Sequence, residues 1–159
     1  MQIRFAKPAD VPAILKLLRQ VGKVHADGRP DIFRDGAQKY SASQILAMLD
    51  DPMQPIFIAA EGDAVLGYGI CQIRSCEKDP VMRDRTELYL DDLCVDETTR
   101  GKGVGKALYD AIRQYAKQRL CHSVSLNVWS CNETAYKFYV NLGGLLPRKT
   151  CLEDVFDAD

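Results

Sequence analysis

The spacing of apolar residues predicts a short strand and an amphipathic helix at the start of the chain. Residues 2–6 form the strand candidate, and Pro8 opens a helix whose apolar residues recur every three or four positions. These residues share one face, which consists of Val11, Ile14, Leu15, Leu18 and Val21. Gly22 is the predicted end of this helix, and residues 23–40 are predicted to form a long irregular segment.

The middle of the chain begins with a short helix and then changes to the alternation typical of strands. Ser41 and Gln44 form a capping box that starts the helix. Residues 56–60 and 64–74 are predicted to be two strands joined by a hairpin turn. A further strand, rich in Leu, Tyr and Val, covers residues 87–95 and leads into a glycine-rich turn.

The last third contains two more helices with a strand between them. The first helix has an apolar stripe formed by Val104, Leu108, Ala111, Ile112 and Tyr115. Val124, Leu126 and Val128 alternate in the strand, and Asn132 opens the second helix, which ends at Gly143. The tail after this helix is expected to supply one or two last strands. The order of elements predicts an α/β (α+β) mixed sheet with helices on both faces.

Composition limits the kind of protein that the chain can form. With 159 residues, of which 47% are hydrophobic, we expect a single domain over residues 1–159. A net charge of −1 gives no broad electrostatic surface for nucleic acid, so any anion site must be local. We expect no membrane partner and a cytoplasmic location, because no apolar run resembles a signal peptide or a membrane span. The six cysteines lack zinc-site spacing, and no metal is expected.

The glycine-rich turn at residues 100–106 is the strongest candidate for a binding site. Its glycines alternate with other residues at the start of a helix, where unpaired amides and the helix dipole attract anions. Neither the nucleoside triphosphate loop nor the dinucleotide fingerprint fits, because both require a glycine where Lys106 stands.

Two motifs in order indicate a family. Residues 100–105, RGKGVG, resemble the Arg/Gln-x-x-Gly-x-Gly/Ala signature of the GCN5-related N-acetyltransferase (GNAT) superfamily. Residues 132–143 resemble its Asn-x-x-Ala-x-x-Phe-Tyr-x-x-x-Gly helix, although Gly144 replaces the usual aromatic residue after the final glycine. The resemblance covers nearly the whole chain. It implies a single-domain GNAT fold, with a mixed, mostly antiparallel sheet of six or seven strands and about four helices.

The resemblance implies acetyl-CoA as co-substrate and assigns residues to it. In the family, the loop amides bind its pyrophosphate, the segment matching residues 93–95 pairs with the pantetheine arm, and the asparagine hydrogen-bonds that arm. The implied contacts are Leu93, Cys94, Val95, Arg100, Gly101, Lys102, Gly103, Val104, Gly105, Lys106, Asn132, Ala135 and Tyr139.

Three side chains are candidates for the chemistry. Tyr139 matches the family tyrosine placed near the cofactor sulfur and is the candidate general acid. Alternation along the strand predicts that Asp91 and Asp92 point to opposite faces. Family members commonly carry an acidic residue on this strand, so Asp91 is the first choice for general base and Asp92 the second.

The resemblance also suggests where the acceptor binds. His25, Arg29 and Phe33 fall in the segment that closes over the acceptor in the family, and Tyr89 and Trp129 are further candidates to line its pocket. A solvated surface or a place in the core is the alternative for each.

The sequence therefore predicts an N-acetyltransferase in which a primary amine, from a small molecule, attacks acetyl-CoA directly in a ternary complex. The alternatives are an acetyltransferase for protein N-termini or lysines, and a non-catalytic acyl-CoA-binding module. A homodimer is left open, since members of the family are often dimers.

Overall fold

A computed structural model describes residues 1–156, which contain a five-stranded sheet. The strands are β1 (Gln2–Phe5), β2 (Ile56–Glu61), β3 (Ala64–Cys76), β4 (Arg85–Val95) and β5 (Ser123–Leu126). They lie side by side in chain order, and every neighbouring pair is antiparallel except β4 and β5, which are parallel. The prediction of a mixed, mostly antiparallel sheet is confirmed.

The sheet separates two hydrophobic clusters, each covered by helices. The helices are α1 (Val11–Gly28), α2 (Ala42–Leu49), α3 (Val104–Gln118) and α4 (Glu133–Leu142). Side chains of α1 and α2 pack with one face of the sheet, around Ile14, Ile45 and Tyr68. Those of α3 and α4 pack with the other face, around Leu88, Leu108 and Ile112. None of the helices within residues 1–156 is long and apolar enough to cross a membrane.

Two glycines of β3 allow neighbouring elements to approach the strand closely. A Cβ atom at Gly69 would lie 2.6 Å from Cδ1 of Ile112 on α3, and one at Gly67 would lie 2.7 Å from the Cys94 carbonyl oxygen of β4. Strand glycines often mark such close approaches. They let α3, which follows the glycine-rich turn, lie flat against the sheet.

The predicted end of α1 at Gly22 was wrong, because the helix continues to Gly28. A Cβ atom at Gly22 would lie 2.7 Å from the Ala37 carbonyl oxygen, so this glycine admits the backbone of the following loop. His25 consequently lies on the last turn of the helix, and the irregular segment begins only after residue 28.

The predicted strand count was also too high, because residues 145–156 contain no strand. The side chains of Leu146 and Leu152 are almost fully exposed, and Arg29 holds the tail through an ion pair with Glu153. A chain that is anchored there by charge, with its leucines in solvent, adds no strand to the sheet. The strand before α4 likewise ends at Leu126 and excludes Val128.

An irregularity in β4 controls the direction of its two acids. Ile70 pairs with Asp92 and Cys71 pairs with Leu90, which leaves Asp91 as an extra residue. Such a bulge shifts the alternation of side chains. Leu88 and Leu90 pack in the α3 cluster before it, and Leu93 and Val95 do so after it. Asp91 and Asp92 therefore both face the α1 and α2 side, and the prediction that they face opposite sides was wrong.

Candidate active site

β4 and β5 separate beyond the middle of the sheet and leave part of β4 open. Their pairing runs from Glu87 with Ser123 to Leu90 with Leu126, whereas β4 continues to Val95. The edge of residues 91–95 that faces β5 therefore has no strand partner among the described residues. Leu93, Cys94 and Val95 lie on this open edge, where an extended ligand could pair with the backbone as an added strand would.

The glycine-rich turn presents a row of unpaired amides beside that edge. Gly101 and Gly103 have φ angles of 77° and 79°, which favour glycine, and Gly103 is the N-cap of α3. The Gly103 carbonyl accepts the first helical bond, from the Ala107 N–H at 3.0 Å. Within residues 1–156, no acceptor is hydrogen-bonded to an amide of residues 100–106.

The side chains of this turn leave its amides accessible. Arg100, Lys102 and Lys106 are exposed, and Lys106 forms an ion pair with Asp110 one turn further along α3. Val104 is buried in the α3 cluster and can offer only its amide. The amides at the positive end of the helix and the nearby cations suit a pyrophosphate, so the residues present fit the acetyl-CoA that the motif implies.

Helix α4 packs closely against this turn. A Cβ atom at Gly105 would lie 3.1 Å from the ring of Phe138, so the middle of α4 packs against the N-terminal end of α3. Asn132 caps α4, since its Oδ1 accepts a hydrogen bond from the Ala135 N–H at 3.1 Å. Because Oδ1 is used in this way, its Nδ2 is the group left to meet a ligand.

Asp91 lies in a nearly closed network of donors. Its Oδ2 accepts a hydrogen bond from the Tyr40 hydroxyl at 2.5 Å and forms an ion pair with Lys39 Nζ at 2.9 Å. Lys39 Nζ also donates to the Asp91 carbonyl oxygen at 3.0 Å. The Asp91 side chain is only 9% exposed, whereas that of Lys39 is 44% exposed. An acid held in this way is better suited to binding an ammonium group than to accepting a proton.

Asp92 has a different environment. Burial raises the pKa of its carboxyl to about 6, the Lys39 ammonium opposes the rise, and the Asp91 carboxylate adds to it. The hydroxyl of Tyr68, which is fully buried, lies near Asp92 but has no hydrogen-bond partner of normal geometry among the described residues. A carboxyl with this pKa is ionised at pH 7 yet basic enough to take a proton.

Tyr139 lies on α4 and packs with the α3 cluster. Its ring packs edge-on against Phe138 and Tyr109, with centroid distances of 5.0 and 6.4 Å. Burial, with a further contribution from the Asp92 carboxylate, raises the pKa of the Tyr139 hydroxyl. No hydrogen bond joins this hydroxyl to another residue of the described chain, and it remains protonated through neutral pH as a general acid must.

Three of the predicted acceptor residues form one aromatic wall. The Phe33 ring stacks on His25 at a centroid distance of 5.1 Å and meets Trp129 edge-on at 4.9 Å. Burial lowers the pKa of His25, and the Lys39 ammonium lowers it further.

The other two predicted acceptor residues are engaged elsewhere. The Arg29 guanidinium makes two hydrogen bonds to Asp31 and two to Glu153, so a substrate carboxylate would have to displace one of them. Tyr89 lies under the Arg74 guanidinium, 3.5 Å from its ring centroid, and its hydroxyl accepts a hydrogen bond from Asn127.

Sequence reasoning missed Lys39, Tyr40 and Tyr68. Lys39 and Tyr40 precede the capping box of α2 and reach Asp91 across more than 50 positions of the chain. Nothing local in the sequence indicates that contact. Tyr68 alternates within a strand like any core residue, and its closeness to Asp92 depends on the pairing of β3 with β4.

Comparison with known proteins identifies the family. Residues 19–143 match the model of the acetyltransferase (GNAT) family. The thialysine N-epsilon-acetyltransferase of Bos taurus is 26% identical over 153 residues, which cover 90% of this chain and 83% of that protein. A tetramutant of a Bacillus halodurans protein has a TM-score of 0.92 and 30% identity, covering 98% of this chain and 100% of that one. An aminoglycoside N-acetyltransferase in complex with CoA shares the fold, with a TM-score of 0.70, 17% identity and coverage of 98% and 100%.

The family model covers most of the chain and includes both the glycine-rich turn and the capped helix α4. The open amides of residues 100–106 lie where the motif requires them, next to the open edge of β4. The chain therefore belongs to the GNAT family and is an acetyl-CoA-dependent N-acetyltransferase.

Proposed function

We propose that the enzyme acetylates a primary amine of a small molecule, which attacks acetyl-CoA directly in a ternary complex. The observation that carries this proposal is the arrangement around Asp92. The bulge in β4 directs Asp91 and Asp92 to the same side, the Lys39 ammonium lowers the pKa of Asp92, and the Asp92 carboxylate raises the pKa of the Tyr139 hydroxyl. These couplings support a role for Asp92 close to both an ammonium-binding group and a candidate acid.

In this proposal each side chain has one task. Asp91 holds the ammonium group of the acceptor, and Asp92 takes a proton from it so that the nitrogen becomes a nucleophile. The nitrogen bonds to the acetyl carbon and the C–S bond breaks, while Tyr139 donates a proton to the departing sulfur and regains one from the acetylated nitrogen, directly or through solvent. Acetyl-CoA supplies the acetyl group and the thiol leaving group, held by the turn amides and by the edge of β4.

The geometry favours Asp92 over Asp91 as the base, which reverses the order of preference drawn from the sequence. Asp91 already accepts a hydrogen bond from Tyr40 and pairs with the Lys39 ammonium, so its Oδ2 is occupied by donors. Burial disfavours the ionised form of Asp92, and the resulting pKa of about 6 suits a base working near neutral pH.

The identity of the acceptor is proposed from the related bovine enzyme and from the site itself. That enzyme is named for thialysine, whose acetylated nitrogen ends an unbranched chain. Here the aromatic wall of His25, Phe33 and Trp129 could enclose such a chain while the acids hold its ammonium end. A small primary alkylamine is therefore preferred to a protein lysine or N-terminus.

The test is a thiol-release assay with acetyl-CoA and matched panels of acceptors. We expect turnover with thialysine, lysine or short diamines, and little with aminoglycosides or lysine peptides. Tyr139→Phe should lower kcat while leaving the affinity for CoA unchanged. Turnover confined to peptides would support the protein acetyltransferase alternative and contradict this proposal.

A further inference from the structure

Lys39 is bound in the acidic part of the site as an acceptor would be. Its Nζ donates to the Asp91 carboxylate at 2.9 Å and to the Asp91 carbonyl oxygen at 3.0 Å. Both oxygens belong to the bulged residue of β4, and an ammonium group on a flexible alkyl chain fills the position between them. The chain thus supplies a primary alkylammonium of its own.

The surroundings of that ammonium match those that an acceptor nitrogen requires. Its charge is felt by Asp92, the proposed base, and by His25, which is part of the aromatic wall. The nitrogen itself contacts Asp91, which directly precedes the proposed base in the chain. Because the Asp91 side chain is 9% exposed and Tyr40 covers it from within, Lys39 occupies the side that remains open.

The Lys39 side chain is also open to solvent, so an incoming cation can replace it. Its side chain is 44% exposed, and its hydrogen bonds within residues 1–156 are those to Asp91. Because the Asp91 carboxylate is only 9% exposed, the departing ammonium must be replaced by another cation, whereas the half-exposed Lys39 side chain is readily solvated once it is released. The neighbouring Tyr40 packs against the core and fixes the backbone, so the lysine can swing out without moving the loop.

We propose that Lys39 occupies the acceptor's ammonium site and that an incoming amine must displace it from Asp91. This inference rests on the proposed function, because it assigns Asp91 to the ammonium group of the acceptor. Lys39 is thereby a residue that sets acceptor affinity, and it disfavours acceptors that carry no cation able to replace it.

The test compares three variants in equilibrium binding and in kinetics. Lys39→Met removes the charge and keeps the length, Lys39→Arg keeps the charge, and Lys16→Met removes an equal charge from a lysine paired with Asp96 beyond the end of β4. Binding of 1,4-diaminobutane to CoA-loaded protein is measured by calorimetry. KM for the best acceptor of the panel is measured alongside.

We expect Lys39→Met to bind the diamine about two- to fivefold more tightly and to lower KM by the same factor, the size of a half-exposed ion pair. Lys39→Arg and Lys16→Met should resemble the unmodified enzyme. Equal or weaker diamine binding by Lys39→Met would overturn the inference, and weaker binding with a lower melting temperature would assign Lys39 a structural role.

The calorimetric measurement of diamine binding tests this inference separately from the proposed function. If no amine of the panel is acetylated, the proposed function fails, yet tighter diamine binding by Lys39→Met would still show that the lysine fills an ammonium site. If amines are acetylated and Lys39→Met changes neither binding nor KM, only the inference about Lys39 fails.

Discussion

At the scale of single residues, Asp92 should control the pH dependence of the enzyme. Burial raises its pKa to about 6, and a base must be deprotonated to act. We expect kcat/KM to rise with pH through about 6 and to level off above it. Asp92→Asn should lower kcat by about 10²- to 10³-fold, within the usual contribution of a general base.

The matched control is Asp91→Asn, which should raise KM through loss of the ammonium contact while keeping the inflection near pH 6. A thiol-release assay between pH 5 and 9 measures both effects. Loss of the inflection in Asp91→Asn and its retention in Asp92→Asn would return the role of base to Asp91.

The ionised Asp92 carboxyl should also lower the stability of the folded protein. The folded pKa of Asp92 lies above its ordinary value of 3.8, so folding disfavours the ionised form. The cost is absent below about pH 4, where both states are protonated, and is complete above about pH 6. Asp92→Asn should therefore raise the free energy of unfolding by about 1–3 kcal/mol at pH 8 and by nothing near pH 4.

Urea denaturation at the two pH values checks this prediction. Asp91→Asn, which removes an ion pair and a hydrogen bond, should show no gain at either pH. If Asp92→Asn gains as much stability at pH 4 as at pH 8, the gain comes from packing and not from the removal of the charge.

At the scale of the elements, the turn before α3 should be sensitive to any side chain at Gly103. Gly103 and Gly62 have φ angles of 79° and 58°, and a Cβ atom at either would meet no atom within 4 Å. An alanine at each position should cost about 1–2 kcal/mol of stability from backbone strain. Gly62 lies in the hairpin between β2 and β3, whereas Gly103 caps the helix that presents the free amides.

We therefore expect Gly103→Ala to weaken CoA binding about tenfold, which corresponds to about 1.4 kcal/mol, and Gly62→Ala to leave it unchanged. Calorimetry with CoA, together with denaturation of both variants, measures the two effects separately. Equal CoA affinity in the two variants would show that the conformation of the turn does not matter for binding.

At the scale of the whole molecule, CoA should stabilise the fold, because its proposed site joins β4, α3 and α4. A ligand that binds only the folded state, at a hundredfold excess over its dissociation constant, adds about 2.7 kcal/mol. For a chain of this size, that corresponds to a rise of about 5–10 °C in melting temperature. A thermal-shift assay with CoA, acetyl-CoA and a dephosphorylated coenzyme measures it, and no rise at saturating CoA would exclude the turn as its site.

The sequence by itself determined the features that depend on local backbone chemistry. The capping box of Ser41 and Gln44 and the alternating glycines before α3 each require particular residues at fixed spacing. So does the asparagine-capped helix that ends at Gly143. These features led to the family and to the region where acetyl-CoA is proposed to bind, and the roles of the individual residues remain predictions.

Only the tertiary structure decided which side of the sheet the two acids of β4 face. The extra residue in β4 is defined by its pairing with β3, and the contacts of Lys39 and Tyr40 with Asp91 join distant parts of the chain. Helix α1 continues past Gly22, where the backbone of Ala37 packs against the glycine. In each case the decisive partner is remote in sequence, so no local pattern of apolar and polar residues encodes the outcome.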